Sequence, residues 1–226
     1  MRKFLGTCFC GLSLKGMVRA GVVSILLFDF CQLRAQAVYS TYEIDGPNLK
    51  AVRQKIFGDS AYAGIGPRDI SGQSRAGTCH ISVGFKADYM SRFEGGSCCS
   101  YASNTRGEIK IFITRPVWIG QGTALDEDSV AWDQFMAGLG EHSQGHANIY
   151  QAAKDSMELK ISEILNDAQI CIRGSCPVAD TLIRNGFLQI LKNNAEWKKA
   201  VSKVESRQKA YDDSTDYGGR QGAVLP

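Results

Sequence analysis

The stretch Gly140-Glu141-His142-Ser143-Gln144-Gly145-His146 decides how this chain is read, because it holds two of the three histidines. Four residues is a little more than one helical turn. In a helix, His142 and His146 therefore stand on one face and both rings can reach one point. That is the ligand spacing of the H-E-x-x-H zinc helix, in which a glutamate after the first histidine serves as general base. Here that position is Ser143. Both metal-ligand positions are present and the base is replaced.

The flanking sequence supplies the helix. Trp132, Phe135, Leu139, His142, His146, Ile149, Ala153, Met157, Ile161 and Ile164 recur at steps of three or four. They form one continuous helix face with the histidines at its middle. A loop over 120–128 leads in, with Asp128 or Ser129 as N-cap. Gly138, Gly140 and Gly145 each cost roughly 1 kcal/mol against alanine in a helix interior. Three within one stretch imply that a strand or a ligand packs close to this backbone.

Upstream, from Val38 to about Thr114, the pattern is mainly β with one helix. Tyr39 to Ile44 reads as a strand that Asp45-Gly46-Pro47 breaks. Pro47 fits the first turn of a helix running to about Phe57, with Leu49, Val52 and Ile56 on one face. Residues 60–76 are glycine-rich and read as loop. Cys79, Ile81, Val83, Phe85 and Ala87 alternate with polar residues as a half-buried strand, which leaves His80 on the polar face. The segment 108–114 (EIKIFIT) repeats that alternation, and Pro116 and Trp118 close the sheet region. Downstream, Pro177 starts a second helical region that runs through Gly186 to about Tyr211, charged in its later part. The tail 211–226 is polar and glycine-rich, by composition a frayed end.

Residues 1–37 read as a signal peptide, with 38–226 as a single domain. Arg2, Lys3, Lys15 and Arg19 give a positive lead, 20–27 (AGVVSILL) is a short apolar run, and Ala35-Gln36-Ala37 offers the small residues of a cleavage site. The run is too short for a stable membrane anchor. Cleavage after Ala37 would take five basic residues and Asp29 with it, so the net charge of +3 falls to −1. Nothing then argues for nucleic acid or an anionic membrane surface as partner. The expected localisation is exported, periplasmic or secreted.

Export sets the reading of the cysteines. Cys8, Cys10 and Cys31 leave with the signal, and Cys79, Cys98, Cys99, Cys171 and Cys176 remain. In an oxidising compartment Cys171 and Cys176 read as a small closed loop between helices, and Cys79 as the partner of Cys98 or Cys99. A thiolate metal site is disfavoured because no C-x-x-C spacing occurs.

Several stretches together resemble a family of bacterial exported proteins described as predicted secreted zinc-dependent proteases. They are Tyr42-Glu-Ile-Asp-Gly46, Gly66-Pro67 with the strand after it, Ile113-Thr-Arg-Pro-Val-Trp118 and Trp132-Asp-Gln-Phe135. His142-x-x-Gly-His146 follows with Ile149 and Ala152-Ala153, then Tyr211-Asp-x-x-Thr215-x-Tyr217-Gly218 with Gln221-Gly222-Ala223. The resemblance implies an α+β, zincin-like fold: an N-terminal antiparallel sheet packed on a central helix carrying the HxxxH pair, then a C-terminal helical region. It recasts the tail as a functional element, with Tyr217 where typical members have a histidine, the position of a third metal ligand. The implied zinc site is therefore His142, His146 and Tyr217, with Ser143 at the position of the missing base.

A zinc hydrolase needs about three protein ligands, a water and a carboxylate to take that water's proton. Serine is no base near neutral pH without a partner, and Glu141 lies about 100° around the helix. A carboxylate from Asp212, Asp213 or Asp216, or the Tyr217 phenol, could complete the ligand set. Three readings follow: a peptidase that still hydrolyses, a non-catalytic relative binding a peptide or protein in the cell envelope or medium, and a structural protein whose histidines simply pack. The expectation is a protease-like protein, weak or inactive in hydrolysis, with binding as the alternative.

Overall fold

The computed structural model describes residues 37–58, 66, 75–166, 168–176 and 178–226. Residues 1–36, which hold nearly all of the expected signal segment and its cysteines, lie outside the described residues, as do most of the 60–76 loop and Pro177.

The chain runs β1 (Val38–Ile44), α1 (Leu49–Phe57), β2 (Thr78–Glu94), β3 (Ser97–Trp118), α2 (Asp126–Asn166), β4 (Gln169–Arg173), α3 (Asp180–Asn193) and α4 (Ala195–Thr215). It is a mixed α+β architecture. Helix α1 forms where its pattern places it: the Asn48 side chain accepts from the Ala51 N–H at 2.9 Å, and Leu49, Val52 and Ile56 are its buried face. β2 and β3 make one long hairpin whose turn, Gly95-Gly96, has positive φ at both residues, as a two-residue hairpin turn requires.

The sheet departs from the expected antiparallel arrangement. β2 and β4 pair with β3 antiparallel, but β1 pairs with it parallel, Val38 opposite Phe112 through Ile44 opposite Trp118. The chain crosses over through α1 and β2 before β3 returns beside β1, and such a return restores the original direction. The order is β1-β3-β2, with β4 against the start of β3. β1 and β4 thus share one edge of β3 and leave a gap between them.

Helix α2 closes that gap. The N–H groups of Ile109, Gly107 and Thr105 donate to the side chains of Glu158, Ser162 and Asn166 at 2.8, 3.1 and 2.9 Å. Four helical residues rise about 6.0 Å and two strand residues about 6.6 Å, so helix and strand stay in step over the three bonds. The close approach needs Gly107, where a Cβ would stand 2.4 Å from the Glu158 carbonyl oxygen.

Two apolar clusters flank the middle of α2. Trp132, Phe135 and Leu139 pack with Ile44, Val52, Ile56, Trp118 and Leu225. Met157, Ile161 and Leu165 pack with Phe85, Phe187, Leu191, Trp197 and Val204. Between them Ala147 meets Ile111 and Ile113 of β3. The helix starts at Asp126, before the expected cap. Asp128 instead accepts from the Leu49 N–H at 3.1 Å, tying α1 to α2. The second helical region is two helices, broken at Asn194, whose side chain caps α4 by accepting from Trp197 N–H. The tail is no frayed end, since Leu225 is buried against α2.

The expected disulfides are overturned. Cys98 bonds to Cys176 and Cys99 to Cys171, while Cys79 is free. Cys171 lies inside strand β4, whose pairing sets it directly opposite Cys99. Burial pushes the Cys79 thiol up to about 12, against the opposing charge of Arg115, so it is a poor nucleophile. Peptide mapping without reductant is expected to yield the 98–176 and 99–171 pairings. A Cys171–Cys176 peptide would contradict the β4 placement.

Candidate metal centre

The sheet-facing stripe of α2 near its centre is Leu139, Ser143 and Ala147, all buried. His142 and His146 stand beside that stripe and face α4 and the tail, their side chains 12% and 15% exposed. From α4, Asp212 Oδ1 comes within 2.9 Å of His146 Nε2 and 3.3 Å of His142 Nε2, and the two Nε2 atoms are 3.1 Å apart. Among the described residues these are the only His, Cys, Asp or Glu side chains that gather in a group of three able to hold a metal ion.

Each imidazole is oriented from behind. His142 Nδ1–H donates to Gln221 Oε1 at 3.0 Å, and His146 Nδ1–H donates to Gln208 Oε1. The Gln208 amide is fixed in turn, since its Nε2 donates to the His146 carbonyl oxygen at 3.2 Å. Gln221 Nε2 reaches the Tyr211 hydroxyl at 2.7 Å. An amide oxygen can only accept, so each ring carries a proton on Nδ1 and turns Nε2 toward the other ring and toward Asp212, with a free lone pair there whenever the ring is neutral. The Tyr211 ring stacks on His142 at 5.3 Å and meets His146 edge-on at 5.0 Å.

The glycines of the helix have their explanation here. A Cβ on Gly145 would lie 2.0 Å from the Tyr211 hydroxyl oxygen, and one on Gly138 would lie 2.3 Å from the Gln221 carbonyl oxygen. Arg115 of β3 covers Gly140, its Nη1 3.3 Å from where that Cβ would be. The tail reaches the helix through a turn in which Asp216, Tyr217 and Gly218 all have positive φ.

Burial is the largest single influence on Asp212 and acts to raise its pKa. Hydrogen bonds and charge from His142 and His146 outweigh it and hold the carboxyl well below the usual carboxylate range. For His146, burial is again the largest influence and acts to lower its pKa. The hydrogen bonds to Asp212 and Gln208, with the charge of Asp212, reverse that and leave it above the ordinary imidazole value.

Of the residues picked out from sequence, the structure brings His142 and His146 together and adds Asp212, one of three tail carboxylates considered. Tyr217 is 55% exposed, with the Arg75 guanidinium 5.5 Å above its ring. Ser143 is buried, and its hydroxyl donates to the Leu139 carbonyl oxygen at 2.7 Å. His80 stacks on Phe112 on the strand surface, away from the group. Gln221 entered the sequence reading only as part of a resembling stretch, and Gln208 not at all. Gln208 lies one turn before Asp212 on α4, a spacing that would have revealed it had Asp212 been chosen first.

The donor set could hold a metal ion. Nitrogen and oxygen donors about 2.0–2.1 Å from a tetrahedral zinc stand roughly 3.3 Å apart, and the three donors here form a triangle of 2.9, 3.1 and 3.3 Å. Three lone-pair atoms that close repel one another unless a cation or a proton lies between them. Beside the group, an open groove of about 630 Å³ runs between α2 and the tail, lined by Gly138, Glu141, Gln221 and Pro226 among others.

A protein-family model matches residues 39–219; its description is "Bacterial protein of unknown function (DUF922)". No curated protein and no solved structure matches the chain.

Proposed function

The chain belongs to this bacterial family of unknown function, and from that premise we propose that it is an exported zinc-binding protein with a zincin-like, protease-related fold. His142, His146 and Asp212 hold the ion. The observation that carries the reading is the triangle of three converging donors, both imidazoles held by glutamine oxygens in the tautomer that offers Nε2. Such backing partners fix ring orientation in metal sites.

A zinc ion so held would polarise a water or a peptide carbonyl. Peptide hydrolysis also needs a base, and this chain provides none at the usual place. The Ser143 hydroxyl is spent on the Leu139 carbonyl oxygen, and Asp212 is itself a ligand. We therefore assign weak or absent hydrolysis. The groove that shares Gln221 with the site supports the second reading, a module that binds a peptide or protein in the cell envelope or medium. Disulfides linking three segments accord with an oxidising compartment. No helix among the described residues is long and apolar enough to cross a membrane.

The deciding measurement is the metal content of the purified protein after zinc loading and gel filtration, beside a His142→Ala/His146→Ala variant. One equivalent in the parent and none in the variant is expected; a metal-free parent overturns the proposal.

The pH response follows from the shifted groups. Without metal, the raised His146 contributes stability below its unfolded pKa, and this is lost as pH rises through its folded value. The depressed Asp212 contributes stability above its unfolded pKa, and this is lost as pH falls through its folded value. Zinc requires neutral imidazoles, so protons compete with it at His146. The rise in melting temperature on adding zinc should therefore grow from pH 6 to pH 8, read by paired melts with zinc and with a chelator. A rise that shrinks with pH would contradict the ligand assignment.

A further inference from the structure

Among the described residues no strand covers the outer edge of β2. The end of that edge carries Lys86, Asp88, Met90, Arg92 and Glu94 on one face, with Met90 66% and Phe93 62% exposed. The outer face thus reads cation, anion, apolar, cation, anion, a sequence complementary to its own reverse. We propose that β2 pairs antiparallel with β2 of a second copy about a two-fold axis at Met90, joining the two sheets into one.

The hydrogen-bond phase permits this register. Glu94 and Ser97 flank the two-residue turn, so they are a hydrogen-bonded pair. Alternation then points the N–H and C=O of Asp88, Met90, Arg92 and Glu94 at β3, and those of Ala87, Tyr89, Ser91 and Phe93 outward. The extra residue near Asn104 lies in β3, where Lys86 to Asp88 spans Arg106 to Ser103, so the alternation of β2 is unbroken. With the axis at Met90, Tyr89 faces the partner's Ser91 and Ala87 faces the partner's Phe93. Each facing pair exchanges two main-chain hydrogen bonds, about eight in all.

The charges choose among the permitted registers. With the axis at Met90, Lys86 stands opposite the partner's Glu94 and Asp88 opposite the partner's Arg92, while the two exposed Met90 side chains meet. An axis at Ser91 sets Asp88 against the partner's Glu94, and an axis at Tyr89 sets Lys86 against the partner's Arg92. Like charges directly opposite destabilise a sheet and opposite charges support it. Within one chain these groups have surface partners, Lys86 with Glu108 at 2.5 Å and Arg92 with Glu94 and Tyr101. Those exposed pairs are weakly held and leave room for a second partner. The pairing also covers an edge that would otherwise be an open template for other chains.

Sedimentation of the purified protein over rising concentration should show a monomer–dimer equilibrium. Arg92→Glu should raise the dimer dissociation constant at least about tenfold, since it acts twice across the axis. Asp88→Arg combined with Arg92→Asp should restore dimerisation, which a merely local disturbance of the hairpin would not do. Met90→Cys should oxidise to a covalent dimer, because the residues of a non-hydrogen-bonded pair have Cα atoms only about 4.5 Å apart. Ser91→Cys, which faces Tyr89 rather than itself, should not. A protein monomeric at every concentration overturns the proposal, and so does a dimer that survives Arg92→Glu while Met90→Cys stays unlinked.

Discussion

Asp212→Asn is expected to lower zinc affinity by at least about a hundredfold, measured by competition with a chromophoric chelator. Loss of a group that merely orients a ligand costs 10–100-fold in metal sites, and removing a charged donor should exceed that. The substitution keeps the shape of the side chain, so the α4 contact with α2 persists and the effect reads the carboxylate itself. Tyr217→Phe is expected to change affinity less than about twofold, because the phenol is exposed. Affinity lost in Tyr217→Phe and kept in Asp212→Asn would return the third-ligand role to Tyr217, where the family resemblance had put it.

Gly138→Ala should destabilise the protein by about 2 kcal/mol, opposite to what helix propensity dictates. Alanine gains roughly 1 kcal/mol over glycine in a helix interior. Here its Cβ would stand 2.3 Å from the Gln221 carbonyl oxygen and 2.6 Å from the Ala223 nitrogen. Both are main-chain atoms that cannot swing aside, and overpacking of this kind costs about 3 kcal/mol. Relief would come by lifting the tail, which carries Gln221 off His142. Zinc affinity should then fall by about tenfold or more along with stability. Gly122→Ala, with nothing near its Cβ, is the control. Urea unfolding of both variants tests this; a Gly138→Ala protein as stable as its parent would mean the tail does not pack as described.

The parts of the fold that were legible in the sequence are those fixed by neighbours along the chain. The apolar spacing of Leu49, Val52 and Ile56 located α1, and the alternation from Cys79 to Ala87 located part of β2. The three glycines of α2 announced a close approach that Tyr211, Arg115 and the tail supply. What was not legible depends on partners far away in sequence. Nothing local to Val38–Ile44 says that it pairs parallel. Cys171 and Cys176, five residues apart, read as each other's partners because nothing local shows that Cys171 lies in a short strand whose pairing sets it opposite Cys99, 72 positions earlier. At the site, spacing gave the histidines because one helix carries both, whereas Asp212 competed with Asp213 and Asp216 until α4 fixed which carboxylate turns inward.

The three side chains of α2 that bond to the exposed main chain of β3 do more than seal the sheet. They fix both the height and the rotation of a 41-residue helix against a strand, at Glu158, Ser162 and Asn166. His146 lies twelve residues before Glu158, roughly 18 Å along the same axis. One residue inserted between them would advance the histidines about 1.5 Å and turn them about 100° away from Asp212. The length of that spacer is thus a specification of the candidate metal site in its own right. Its residue count sets where the two imidazoles arrive.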